Sequence, residues 1–427
     1  MKRAVRFGAV LAVVVLAGTA CGNSNSNTTA SGCSLTNLKG SSLGIPSAHD
    51  FVAAGAVHSL AKAGDTVKIG FIGDLTGSNS ALVVPGKNAA ALAFDQANAA
   101  GDLQVKIEFV PLDNKEANPT TAPALAQRLI SDPAVVGVIG PAFSGETSAV
   151  QPLFAAAGLT HITQSATRAD LTTKGFKTFF RSVGGDSDQA DASAKLAVSA
   201  LKCKNVAVID DKSAYGQGYG QIAAASVTKY GGTVVTTQSV APATDYTSLV
   251  DTLTTKSPDA VIYGGYEPQA SILVKQMREK GVKAIFISGD GSKSTKFVPD
   301  AGTANAEGVL FTCPCLDANV STDPAAVKFV SDFKAKYNGT APDIYAPEAY
   351  DDAQIFISAI KGCGADVTRA CVLAGVTALK DFKGLTKTFN WTTDAALLHE
   401  VTDKGVNIYE VKNGSITLLG NISTVAP

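Results

Sequence analysis

Histidine is scarce in this chain, with four among 427 residues: His49, His58, His161 and His399. None clusters with a cysteine at ligand spacing, so a metal site is disfavoured. A nucleophile triad would need a histidine, and His161, inside the apolar run LTHIT, is expected to be buried rather than catalytic. No positioned base accompanies any candidate nucleophile, and no enzyme is expected. Charge is sparse too, at 17% of residues, with 36 basic side chains against 37 acidic ones. That near balance gives no reason to expect nucleic acid or an anionic membrane surface as a partner. The apolar run Gly8–Ala20 is shorter than the roughly 20 residues needed to cross a bilayer.

What is there begins with a leader. Lys2, Arg3 and Arg6 followed by that apolar run read as a secretory signal over residues 1–20. Cys21, after small residues, resembles the lipobox cysteine of bacterial lipoproteins, which becomes lipid-modified and anchors the mature chain. Gly18 departs from that pattern, where leucine is usual, so secretion without lipid stays open. Residues 21–65 read as a polar, flexible tether and N-terminal extension. Outside the cytoplasm the six remaining cysteines are expected to pair. Cys363 and Cys371, flanking GADVTRA between two helical segments, are the favoured bridge. The pairing of Cys33, Cys203, Cys313 and Cys315 stays open.

A chain of this length predicts about two or three domains. From Val67 apolar strands alternate with helices: VKIGFIGDL, then an alanine-rich helix ended by Gly101, LQVKIEFVPLD, a proline-led helix, VVGVIGPA, SGETSAVQPLFAAAG and LTHITQSA. Strands that are apolar nearly throughout and alternate with helices imply a parallel sheet covered on both faces. The alternation restarts after FFRSVGGDSDQ (Phe179–Gln189) and continues to Gly289. The fold class is therefore α/β with two doubly wound lobes. GVLFTCPC reads as a return strand, and VNIYEVKNGSITLLG as a terminal hairpin turning at Asn413-Gly414.

In such sheets ligands sit beyond the carboxyl ends of the strands. The loops there (DLTGSNSALVVPG, GPAFSGE, TQSATRA, DDKSAYGQG, YGGYEPQ and SGDGSKS) carry Ser, Thr, Tyr and Asp with almost no Lys or Arg, which disfavours a phosphate or nucleotide. A helix starting near Gly145 would aim unpaired N–H groups and the positive end of its dipole at the cleft. Ser144, read alone, is an N-cap serving the N–H near Thr147. GQGYG (Gly216–Gly220) lacks the full dinucleotide spacing, and no cofactor is expected.

The collinear series IGFIGDLTG, VVGVIGPAFSGETSAVQPLF, ITQSATRADLT, FFRSVGGDSDQ, VAVIDDKSAYGQG, DAVIYGGYEPQ and FISGDGS strongly resembles the branched-chain amino acid type of type I periplasmic binding proteins, the extracytoplasmic receptors of ABC importers. The resemblance implies two Rossmann-like lobes joined by three hinge crossings, near Val183, Cys313 and Trp391. Lobe 1 would comprise residues 66–183 plus 316–390, and lobe 2 residues 184–315 plus 391–427. It implies a monomer that closes on an amino acid and delivers it to a membrane permease. Ser144 and Thr167 match positions that hold the ligand carboxylate, and Ser165 one whose backbone meets the ammonium. Ala166 lies between these two. Tyr215 and Tyr266 match aromatic walls of the second lobe, and Asp290 the acid that pairs with the ammonium. Departures are Val84-Pro85-Gly86 where a Tyr-Gly pair is common, Phe143 where a smaller residue is often found, and Glu267 after Tyr266.

Other readings of the same residues carry weight. Asp290 in SGDGS could be a turn residue, and both tyrosines ordinary core or rim residues. Glu267 is expected to be a solvated loop charge. Arg181 and Asp186 are expected to brace the first hinge, and Tyr345, Tyr350 and Asp352 to make packing and hinge-side contacts. An amide, polyol or nucleoside receptor, or a ligand sensor without a permease, would share the fold.

Overall fold

The computed structural model describes residues 32–38 and 66–427. The expected signal segment, Cys21 and most of the expected tether lie outside the described residues. Five strands build the first sheet: β1 (Thr66–Gly73), β2 (Lys106–Asp113), β3 (Val135–Ile139), β4 (Thr160–Thr163) and β5 (Phe179–Arg181), in the order β2-β1-β3-β4-β5 and all parallel. Between them run α1 (Ser80–Ala100), α2 (Ala122–Ser131) and α3 (Ser144–Ala156). β3 is buried at every position, as a strand covered on both faces must be.

The second sheet takes β6 (Asn205–Asp210), β7 (Thr233–Ser239), β8 (Ala260–Gly264), β9 (Ile285–Ser288) and β10 (Leu310–Cys313), alternating with α4 (Asp186–Lys195), α5 (Ala214–Lys229), α6 (Thr247–Lys256), α7 (Glu267–Glu279) and the short α8 (Phe297–Ala301) and α9 (Thr303–Ala306). The chain then returns to the first lobe for α10 (Pro324–Lys336), α11 (Ala346–Cys363), α12 (Arg369–Thr377) and the small pair β11 (Phe382–Lys383) and β12 (Thr388–Phe389). The hairpin β13 (Asn407–Lys412) and β14 (Ser415–Asn421) completes the second sheet in the order β14-β13-β10-β9-β8-β6-β7. Its turn has φ 52° at Asn413 and 75° at Gly414, the left-handed pair that suits a two-residue hairpin.

Two expectations are corrected. Part of the loop read after β1 is helix: the Asp74 carboxylate accepts the Asn79 N–H at 3.0 Å and also that of Gly77, and α1 starts at Ser80, with Pro85 inside it. The third crossing does not lie near Trp391. Residues 391–401 stay with the first lobe, because Trp391 Nε1 donates to the Val376 carbonyl at 2.7 Å and its ring lies 5.1 Å from Phe180. Glu400 also bridges to Arg181 at the edge of β5. The chain passes to the second sheet only between Val401 and Asn407. There it runs beside the first crossing, since a Cβ on Gly184 would meet the Lys404 carbonyl at 3.2 Å. The second crossing joins them, its Cys315 carbonyl accepting from Asn407 Nδ2 and Tyr409 Oη at 2.9 Å each.

Three disulfides are formed: Cys363–Cys371, Cys33–Cys203 and Cys313–Cys315. The first closes the α11–α12 connection, and the second ties residues 32–38 to the second lobe, where Ser34 N–H also donates to the Leu201 carbonyl. The third lies at the second crossing. Among the described residues no helix is long and apolar enough to cross a membrane.

At the first crossing Arg181 and Glu400, 1% and 2% exposed, pair at 2.9 Å. Thr172 and Lys404 also bind the carboxylate, while Arg181 donates to the Thr167 and Arg168 carbonyls. Burial alone would raise the Glu400 carboxyl, but Arg181 and Lys404 outweigh it and hold the group below its ordinary 4.5. A depressed acid lends stability that is full above its unfolded value and fades as pH falls through the folded one. Glu400→Ala is expected to lower unfolding free energy at pH 7 by about 3–5 kcal/mol by stranding the guanidinium. Urea titration checks this, and the gap from wild type should narrow below pH 4.5.

Candidate functional site

The cleft is built from the carboxyl ends of both sheets. After β3 the backbone is extended at Phe143 (φ −112°, ψ 150°), and α3 begins at the next residue. Ser144 is therefore the first helical residue, not the expected cap. Thr147 N–H bonds to the Phe143 carbonyl, and the Glu146 carboxylate accepts the Phe143 N–H at 3.3 Å. Ser144 Oγ instead accepts the Arg168 N–H at 3.2 Å, fastening the helix end to the loop after β4. Ser165 Oγ in that loop donates to the Ala142 carbonyl at 2.7 Å.

Ser144, Ser165 and Phe143 line one side of a narrow cavity, and Tyr215, Tyr266 and Asp290 line the other. Leu82 and Val83 of α1 add an apolar wall, and no Lys or Arg takes part. About 20 Å³ is open to the centre of a water molecule, room for one or two waters. The lobes touch directly there, with Phe143 edge-on to Tyr266 at 5.0 Å between ring centres.

Asp290 is the electrostatic centre of the cavity. Tyr215 Oη donates to its Oδ1 at 3.0 Å, and Tyr345 Oη to its Oδ2 at 2.7 Å. Tyr345 immediately precedes α11 of the first lobe, so the carboxylate is gripped from both lobes. The glycines of SGDGS make the grip possible: a Cβ on Gly289 would overlap Tyr215 Oη, and one on Gly291 would come 2.8 Å from the Tyr215 ring. Asp290 is 4% exposed and in no ion pair among the described residues. Burial raises its carboxyl, against hydrogen bonds led by that of Tyr345.

Asp186, in the first turn of α4, is fully buried, with the Thr167 hydroxyl as the polar group beside its carboxyl. Burial first, and then the neighbouring Asp290 charge, push its carboxyl well above the ordinary range.

Several expected roles are revised. Ala166 and Thr167 do not line the cavity. Thr167 is drawn behind the wall, where its carbonyl accepts from Arg181 Nη1 at 3.0 Å and from the Asp186 N–H at 2.7 Å and its hydroxyl lies beside the Asp186 carboxyl. Ala166 N–H donates to Thr163 Oγ1 at 3.0 Å, and its side chain packs with Leu171 and Phe179. Glu267 is not solvated. It is 2% exposed in the first turn of α7, where burial pushes its carboxyl up to about 7. Tyr345, read as a packing residue, faces the cavity, and its φ of 59° is unusual for a bulky side chain. No periodicity or motif in DIYAPEAY marks that position out. His161 is buried between Phe154 and Phe179, and burial pushes its pKa down to about 4. No group of three or more metal-ligating side chains occurs among the described residues.

Removing one tyrosine hydroxyl tests the grip on Asp290. Tyr345→Phe is expected to lower the stability of the protein without added ligand by about 1.5–3 kcal/mol, the range for a hydrogen bond to a charged group. An unchanged urea midpoint would show that the contact contributes nothing.

Comparison with known proteins agrees with this architecture. The family model described as "Periplasmic binding protein" matches residues 66–415. The Leu/Ile/Val-binding protein BraC3 of Rhizobium johnstonii is 30% identical over 351 residues, covering 82% of this chain and 93% of its own. A leucine-, isoleucine-, valine-, threonine- and alanine-binding protein of Pseudomonas aeruginosa is 29% identical, covering 78% of this chain and 91% of its own. Among solved structures, the branched-chain amino acid transporter substrate-binding protein LivJ of Streptococcus pneumoniae, in complex with isoleucine, superposes with a TM-score of 0.74 at 28% identity, covering 82% of this chain and 97% of that one. This chain therefore belongs to the periplasmic binding protein family of solute-binding proteins, in its two-lobed type I fold.

Proposed function

We propose that the chain is the extracytoplasmic substrate-binding component of an ABC importer, capturing an amino acid by hinge closure and presenting the closed form to a membrane permease. The observation that carries this reading is the buried, unpaired Asp290 carboxylate sharing a cavity with the N-terminus of α3. An α-amino acid is complementary to both ends. Its ammonium pairs with Asp290, and its carboxylate meets the first N–H groups of α3 and the Ser144 and Ser165 hydroxyls. Thr167, its hydroxyl beside the buried Asp186, stands one layer behind them. Leu82, Val83, Phe143 and Tyr266 then bound the side-chain pocket, which favours a branched-chain, other apolar or aromatic ligand.

Contacts from both lobes to one cavity support closure on a ligand. A ligand touching both lobes stabilises the closed form over the open one by its differential contacts. Trp391 and Glu400 fix the strap before the third crossing to the first lobe, so bending is confined to residues 182–185, 313–316 and 402–406. Cys21, as the lipidated N-terminus, would keep this monomeric receptor at the outer face of the cell membrane.

A thermal-shift panel of amino acids, amides, polyols and nucleosides is expected to show stabilisation by leucine, isoleucine or valine, because a ligand that binds only the native state raises its stability. Stabilisation by a nucleoside or polyol alone would replace the amino acid reading. In calorimetry Asp290→Ala is expected to weaken amino acid binding by about 2–5 kcal/mol. The raised acid must lose its proton before it pairs with an ammonium, so affinity should rise with pH and fall in acid sooner than at an exposed aspartate. Cys21→Ser is expected to move the protein from the membrane fraction to the medium or periplasm, and unchanged fractionation would contradict anchoring.

A further inference from the structure

A second cavity, of about 300 Å³, shares no residue with the cleft and lies where the chain crosses between lobes. The second and third crossings line it through Cys315 and Gly405. The first lobe contributes Glu348 and Leu385, and the second sheet contributes Leu418. Its charge is one-sided: the carboxylates of Asp317, Asp323, Glu348 and Asp403 face one basic residue, Lys387.

Three of these acids are occupied with their own backbone. Asp317 accepts the Asn319 N–H, Asp323 caps α10 through Ala325 and Ala326, and Asp403 accepts the Gly405 N–H. Glu348 differs. It is 1% exposed, its Oε1 accepts the Leu316 N–H at 2.7 Å, and its Oε2 has no hydrogen-bond partner. Lys387 forms no ion pair with it, and its Nζ lies 3.4 Å from the Asp403 carbonyl. Burial pushes the Glu348 carboxyl up to about 7, against the Leu316 N–H and the Lys387 charge, which pull it down.

The walls around this group are mixed. Leu316, Leu385 and Leu418 line the cavity among threonines and asparagines, and Val320 at its edge is 44% exposed. A buried acid with an uncommitted oxygen, in an acidic cavity that also presents three leucines, is complementary to an organic cation with a hydrocarbon body. A metal ion fits poorly, because no group of three ligating side chains gathers among the described residues.

We propose that the hinge cavity is a second small-molecule site, taking a primary amine with a short apolar body whose ammonium pairs with Glu348 and whose chain lies along Leu316, Leu385 and Leu418. Because the walls come from both lobes and two of the three crossings, an occupant bridges parts that move relative to each other when the hinge bends. Such a ligand is coupled to whatever the cleft binds, in both directions.

Titration calorimetry of hexylamine into the full chain, with hexanoate as comparator, tests the site without reference to the cleft ligand. Hexylamine is expected to bind wild type and Asp290→Asn alike, and Glu348→Gln roughly tenfold or more weakly, as when a charge-assisted contact is lost. Hexanoate is expected not to bind. Should Glu348→Gln fail to fold, Leu418→Trp, which fills the cavity from a half-buried wall, is expected to abolish hexylamine binding. The proposal is overturned if wild type does not bind hexylamine or binds hexanoate equally. It is equally overturned if binding survives unchanged in a folded Glu348→Gln or in Leu418→Trp, or if Asp290→Asn removes it.

Discussion

A carboxylate buried between two lobes and held by a tyrosine from each organises this molecule. Asp290 receives Tyr215 from the second lobe and Tyr345 from the first, and no cation among the described residues pairs with it. Burying an unpaired acid is unfavourable unless hydrogen bonds or a ligand compensate. The neighbouring glycines and the left-handed backbone at Tyr345 bring the two tyrosines onto that charge at one point in the cleft. The start of α3 supplies the opposite polarity across a few ångströms of apolar wall.

The hinge obeys the reverse logic. Arg181 and Glu400 are also buried, but they neutralise each other, with Thr172 donating to the carboxylate and the Thr167 carbonyl accepting from the guanidinium. The result is a firm joint between β5 and the strap that precedes the third crossing. The proposed receptor role calls for both kinds of site: a paired charge where geometry must not change, and a charge without a protein cation where binding is to occur.

Much of this was legible in the sequence because it rests on local pattern. Apolar runs such as VVGVI dictate covered parallel strands, Asn413-Gly414 dictates its turn, and the collinear motifs place Phe143, Ser144, Ser165, Tyr215, Tyr266 and Asp290, which the fold gathers around one cavity. The illegible part depends on contacts distant in the chain. Tyr345 reaches Asp290 across 55 residues, a relation that no spacing encodes. Thr167 lies behind the wall because Arg181 and Asp186 claim its carbonyl, and Glu267 is buried because α7 begins one residue after Tyr266. Trp391 marked a boundary in sequence, yet its indole packs backwards onto Phe180 and Val376.

The central claim is that the cleft reads both charged ends of an amino acid at once. The most direct measurement compares, by calorimetry at one pH, leucine with the two molecules that each lack one end: 3-methylbutylamine, without the carboxylate, and 4-methylpentanoate, without the ammonium. The account predicts that leucine binds and that each truncated molecule is weaker by roughly tenfold or more, the cost of losing a charge-assisted contact in a desolvated site. Equal binding of leucine and either truncated molecule would contradict it.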